Sequence, residues 1–177
     1  TEKSIGMVDV PLLSVPTLAE SLHDNRARYF DLPGLERMSV EQRKQVVLIV
    51  QDPFTSYYDA PVVRDLVKLA SKLGFQPYLL PFKPNGKPQH IKGFLRAFAR
   101  TAANSAQFLN KVAALGIPMV GVDPAMVLCY RDEYAKALGS ARGDFQVLLP
   151  QEWLLSLPAE LLPVSAGKAT SGEGSEP

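Results

Sequence analysis

The 177 residues contain one cysteine, Cys129. A lone thiol excludes a disulfide within the chain and a zinc site built from several thiolates. Long apolar runs are also lacking. None approaches the roughly 20 residues of a membrane span, and no signal-peptide-like segment opens the chain. Charge of one sign is absent too: 19 basic residues balance 18 acidic ones, leaving a net +1. Nothing therefore steers the protein toward nucleic acid or an anionic membrane surface. No Gly-x-Gly-x-x-Gly follows a strand. Asn85-Gly86-Lys87 is followed by Pro88 where a phosphate loop needs Ser or Thr, so that motif is rejected. No nucleophile elbow is present. A cytoplasmic protein is the expectation.

What is present is the composition of a globular core, 46% hydrophobic and 21% charged. The run Val46-Val-Leu-Ile-Val50 is apolar without alternation. Alternation would mark a strand with one wet face, whereas an unbroken run marks one covered on both faces, as in a parallel sheet wrapped by helices. The polar-aromatic segment 51–59 then lies at the strand's C-terminal end, where open α/β sheets place their ligands.

Around this strand the pattern repeats. A helix is expected over 61–73, with Asp59 before it, Pro61 in its first turn and Gly74 after it. Val62, Leu66, Ala70 and Leu73 would form its inner stripe. Strands are expected over 76–80, 117–122 and 145–149. Between them lie a helix over 90–115, with Ile91, Phe94, Leu95, Phe98, Ala102, Ala106, Leu109 and Ala113 inward, and one over 124–138. Pro150 opens a last short helix to 157. Alternating strands and helices predict an α/β fold, a three-layer α/β/α sandwich with a mostly parallel sheet of about four strands.

Residues 1–45 read instead as an N-terminal arm with two short helices. Thr17-Leu-Ala-Glu20 and Ser39-Val-Glu-Gln42 have capping-box form. Residues 46–157 form the α/β domain, and 158–177 a Ser/Gly-rich linker. The opening Thr1 and the Ser/Gly/Glu-rich close are those expected of a piece of a longer polypeptide.

The loops at the C-terminal edge of the sheet gather Asp52, Thr55, Tyr57, Tyr58, Asn85, Lys87, His90 and Asp123. Together they could bind an anion or a small polar ligand, helped by helix N-termini. Taken singly, Asp52, Asp59 and Asp123 read as turn and cap residues, and His90 as a locally bonded imidazole. Cys129, among Val127, Leu128 and Tyr130, reads as a buried, inert thiol rather than a nucleophile. Lys92, Arg96 and Arg100 recur every fourth residue. They make a basic helix face, either solvated or aimed at an acidic neighbour.

The same loops carry a resemblance. Ile49-Val-Gln-Asp-Pro-Phe-Thr-Ser-Tyr-Tyr-Asp59, Lys92-Gly-Phe-Leu95, Gly121-Val-Asp-Pro124 and Arg131-Asp-Glu-Tyr134 keep the order of the cysteine-rich "CCG" domain. That domain is shared by heterodisulfide reductase B subunits and by iron–sulfur subunits of glycolate, lactate and glycerol-3-phosphate oxidoreductases. The whole chain resembles a stretch near the C-terminus of bacterial fusion proteins that join FAD-linked, ferredoxin-like and CCG domains and oxidise D-2-hydroxyacids. The family's cysteines fall on Pro53, on Pro84-Asn85-Gly86 and on Pro124-Ala-Met126. Because iron–sulfur clusters commonly need four thiolates, the resemblance implies the ligand-free first CCG-type repeat. It would hold no cofactor of its own and be inactive alone. FAD and iron–sulfur clusters would belong to the parent. The partners would be the ferredoxin-like domain and a second cysteine-rich repeat. The edge residues, with Arg131, then become candidates for an interdomain or ligand site, and Lys92, Arg96 and Arg100 for a basic interface. A free-standing small-molecule- or anion-binding α/β domain stands as the alternative, and a hydrolase using Cys129 or His90 ranks third.

Overall fold

The computed structural model describes residues 11–22 and 28–162. The parts of the N-terminal arm at 1–10 and 23–27, and of the linker at 163–177, lie outside the described residues.

Strand β2, Val46–Val50, is buried along its whole length. Val46, Leu48 and Val50 enter one core while Val47 and Ile49 enter another. Burying an aliphatic side chain in this way contributes about 1.5–3 kcal/mol. Beside β2 lie β3, Gln76–Leu79, and β4, Met119–Gly121. The fourth strand is β1, Arg28–Tyr29, on the outer edge of β3. The order is β1-β3-β2-β4 and every pairing is parallel.

Helices cover both faces. On the first face lie α2, Leu32–Arg37, α7, Leu95–Ala113, α8, Pro124–Arg131, and α9, Glu133–Leu138. On the second lie α1, Leu18–Leu22, α5, Ala60–Lys72, and α10, Pro150–Leu155. The result is the three-layer α/β/α sandwich. Three shorter helices join these layers: α3, Val40–Arg43, α4, Pro53–Tyr57, and α6, Lys87–Ile91. Among the described residues no helix is long and apolar enough to cross a membrane.

Several local expectations need correction. The segment 145–149 forms no strand. Only Leu148 joins the sheet, through a bridge to Val120, with Leu148 N–H to Met119 O at 2.8 Å and Gly121 N–H to Leu148 O at 2.9 Å. Side chains occupy the backbone groups that a ladder would use. Asn110 Oδ1 accepts from the N–H of Asp144 and Phe145, and the Arg142 guanidinium donates to the carbonyls of Gly143 and Phe145. The missing strand is replaced by β1, supplied by the stretch read as an arm. Among the described residues that stretch carries three short helices, where two were expected.

The helix expected over 90–115 is broken. Gly93 adopts φ 76°, a left-handed conformation that glycine enters at little cost. The break separates α6 from α7, and the buried stripe starts only at Phe98. Ile91, Phe94 and Leu95, placed inward by periodicity, face outward instead. The helix over 124–138 is interrupted at Asp132. In α5 the buried face is Ala60, Val63, Leu66, Val67 and Ala70, so Val62 lies outside. The segment 51–59 is not a plain loop, because α4 occupies most of it.

Candidate functional site

Beyond the C-terminal end of β2, Asp52 caps α4. Its Oδ1 accepts the N–H of Phe54 at 2.8 Å and of Thr55 at 2.9 Å, and its Oδ2 accepts the Thr55 hydroxyl. Such a cap satisfies N–H groups that the first helical turn leaves free. Asp52 and Thr55 are both buried. Their polar atoms are therefore already engaged with each other and with the backbone. Next to them the Tyr57 ring meets Phe82 edge to face, with centroids 5.8 Å apart. Tyr57 and Tyr58 stay half exposed.

The loop after β3 closes on a second cluster. Asn85 is buried. Its Oδ1 accepts the Lys87 N–H at 2.9 Å, its carbonyl accepts the Tyr134 hydroxyl at 2.8 Å, and its Nδ2 stands 2.7 Å from Met126 Sδ. Gly86 precedes α6 with φ 82°, and a Cβ there would stand 2.9 Å from the Phe98 ring. Lys87 Nζ pairs with Glu133 in a partly buried contact. The hydrogen bond that Lys87 donates to Glu133 raises the Lys87 pKa above its ordinary value. Burial pushes the Glu133 carboxyl upward, but the hydrogen bond and charge of Lys87 outweigh it, and the net displacement is downward. The pair is thus held ionised. Asp123 caps α8, accepting from Ala125 N–H at 2.6 Å and Met126 N–H at 3.3 Å. His90 lies against Phe98, ring centroids 4.9 Å apart.

Arg131 is not brought to this edge. It donates to the Glu152 carboxylate and, at 2.9 Å, to the Val147 carbonyl. The pair lines a separate open cleft of about 620 Å³ together with Arg142 and Asp144. Lys92, Arg96 and Arg100 are all exposed. Glu133, Glu152, Tyr134, Asn110 and Arg142 escaped sequence reasoning. Only Glu133 and Tyr134 lay inside a quoted motif, and nothing in the local pattern marks either as the partner of a residue more than 40 positions away.

The chemistry available is limited by these pairings. Cys129 is fully buried and its thiol is pushed up to about 12, by desolvation first and by the Glu133 carboxylate second. A thiol so displaced is no nucleophile near neutrality. Burial likewise raises the Tyr130 and Tyr134 phenols well above the ordinary range. Among the described residues no three His, Cys, Asp or Glu side chains gather as a metal site. The donor set does not fit an iron–sulfur cluster. The positions that the resemblance aligns with thiolates hold Pro53, Pro84-Asn85-Gly86 and Met126, and the one thiol lies in the core.

Fold and edge together define a class: a parallel α/β/α sandwich whose polar loops are locked to one another rather than left open around a reactive group. The chain is 64% identical over 156 residues to the D-2-hydroxyglutarate dehydrogenase of Escherichia coli, a match covering 88% of this chain and 15% of that protein. It is 60% identical over 166 residues to the enzyme of that name from Pantoea ananatis, covering 93% and 16%. Against the one from Haemophilus influenzae it is 58% identical over 153 residues, covering 86% and 15%. The chain thus spans about 15% of the length of these curated relatives. No family model matches the chain, and no solved structure matches it significantly.

Proposed function

We propose that this chain is a non-catalytic structural portion of a multidomain FAD- and iron–sulfur-dependent oxidoreductase that oxidises D-2-hydroxyacids, D-2-hydroxyglutarate among them, in the cytoplasm. The observation that carries the reading is its 64% identity to 15% of a D-2-hydroxyglutarate dehydrogenase. The chain corresponds in this reading to the ligand-free first repeat of a CCG domain. The flavin and clusters, held elsewhere in the polypeptide, supply hydride acceptance and one-electron transfer. This chain's own residues supply rigidity. Asp52, Asn85 and Asp123 tie the loops to helix starts, and Lys87–Glu133 ties the second loop to α9. A rigid edge fixes the distance and orientation of whatever packs on it, which is what a domain can contribute to electron transfer without binding the carrier.

The alternative, a domain binding a small anion, draws on the open cleft at Arg131 and Arg142. It ranks second because both guanidinium groups are already engaged, Arg131 with Glu152 and the Val147 carbonyl, Arg142 with the carbonyls of Tyr130, Gly143 and Phe145.

The test is to purify the long polypeptide and this chain without air and measure iron, sulfide, flavin and D-2-hydroxyglutarate oxidation. Clusters and turnover in the long form, with none in the isolated chain, are expected. Stoichiometric iron in the isolated chain would overturn the reading.

A further inference from the structure

The break at Gly93 leaves three large apolar side chains in solvent: Ile91 is 72% exposed, Phe94 61% and Leu95 59%. Leu95 also borders a groove of about 370 Å³ lined by Phe98 and Ala99 of α7 and Ala137 of α9. A monomer seldom leaves adjoining apolar side chains and an apolar groove open unless something covers them.

Among the described residues, the charged side chains of the groove that lack an ion-pair partner are basic. Arg96 and Lys136 line the groove. Arg100 stands one turn beyond Arg96 on α7, while Lys92 ends α6 just before the Gly93 break, so the three cations expected on one helix face sit on two segments. All four are exposed, and among the described residues none has an ion-pair partner. The carboxylate at the rim, Glu133, is tied to Lys87. Phe94, at the N-cap of α7, offers no side-chain cap, so the positive end of that 19-residue helix adds to the same potential. A second copy of this chain is a poor occupant, since a twofold contact would bring these cations against their own copies. A lipid surface fits less well than a protein segment, because the site is a concave groove between two helices rather than a flat apolar strip.

We infer that the groove between α7 and α9 receives an acidic amphipathic segment of the same long polypeptide, resting on the reading of this chain as part of such a protein. Its apolar side chains fill the groove and cover Ile91, Phe94 and Leu95. Its carboxylates meet Lys92, Arg96, Arg100 and Lys136. Docking of this kind uses the apolar contact for affinity and the rim charges for register.

The experiment uses the full-length polypeptide with a photo-crosslinking phenylalanine analogue in place of Phe94, and in a second variant in place of Leu95. Both sites are exposed, so the fold tolerates the change. Expected is a crosslink to one segment outside this chain in which Asp and Glu outnumber Lys and Arg. The double reversal R96E/R100E should lower its yield about tenfold, two rim pairs being turned from attraction to repulsion. A crosslink to a second copy, to a neutral or basic segment, or to nothing from both positions overturns the inference. So does an R96E/R100E yield equal to that of the parent. Iron, flavin and turnover are measured on the same preparation. Intact cofactors with no crosslink sink the groove alone, whereas absent cofactors sink the dehydrogenase reading and leave the crosslink to judge the groove.

Discussion

The Tyr134 hydroxyl donates to the main-chain carbonyl of Asn85 at 2.8 Å, joining residues 49 positions apart inside the core. The ring that carries it packs edge to face against Phe98, Tyr130 and Phe145. One aromatic side chain therefore fastens the loop after β3 to α9. Tyr134→Phe keeps the packing and strands a buried carbonyl. It should cost about 1–2 kcal/mol in urea denaturation. Unchanged stability would mean that Asn85 finds another donor.

Gly86 and Gly93 both have positive φ but differ in their surroundings. A Cβ at Gly93 meets nothing within 4 Å, while one at Gly86 meets the Phe98 ring at 2.9 Å. Gly93→Ala should therefore show backbone strain alone, about 1 kcal/mol. Gly86→Ala should add the cost of displacing a core ring, for about 2–4 kcal/mol in total. Equal melting temperatures for the two variants would refute the assignment.

The Arg131 guanidinium, with the Leu149 N–H, holds the Glu152 carboxyl at about 2 rather than 4.5. The folded value lies below the unfolded one, so the contribution is complete above roughly pH 5 and lost as the pH falls through the folded value. The stability gap between the parent and Glu152→Gln should be flat near neutrality and close between about pH 4.5 and 2. A gap still constant at the acid end would show that the pairing does not shift the carboxyl.

Cys129 gives a simple reporter. Its thiol is fully buried and held protonated. At mildly alkaline pH, labelling by a thiol reagent should be slow in the native protein and proceed at the rate of unfolding. Denaturant should restore the rate of a free thiol. Rapid native labelling would contradict both its burial and its raised pKa.

Much of this architecture is written locally. An unbroken run at Val46–Val50 means burial on both faces, and the two separate cores confirm that it has them. Caps are local too. Ser39 and Gln42 make the expected capping box, and Thr17 and Glu20 exchange the corresponding hydrogen bonds. Asp52 and Asp123 each cap a helix, in line with their reading as turn and cap residues, whereas Asp59 stands at the N-cap of α5 without a side-chain cap bond and Ser14 Oγ accepts the Ala60 N–H instead. Periodicity failed where a backbone turn outweighed it. The glycine at 93 ended one helix and began another, and Ile91, Phe94 and Leu95 were left outside.

By itself the sequence determined the class of fold, the central strand and the proline-marked starts of α5, α8 and α10, because each depends on residues within a turn or a strand of one another. The partnerships were decided only by the tertiary structure: Tyr134 with Asn85, Lys87 with Glu133, Arg131 with Glu152, and the edge place of Arg28–Tyr29 in the sheet. These contacts join residues 21 to 50 positions apart. Such distances are closed by packing, and no local pattern records which side chain will be waiting on the other side. The segment 145–149 shows the same rule from the other direction. Its composition suits a strand, but Asn110 and Arg142 hold the backbone groups of Phe145 and Arg131 the carbonyl of Val147, which leaves Leu148 to bridge to the sheet.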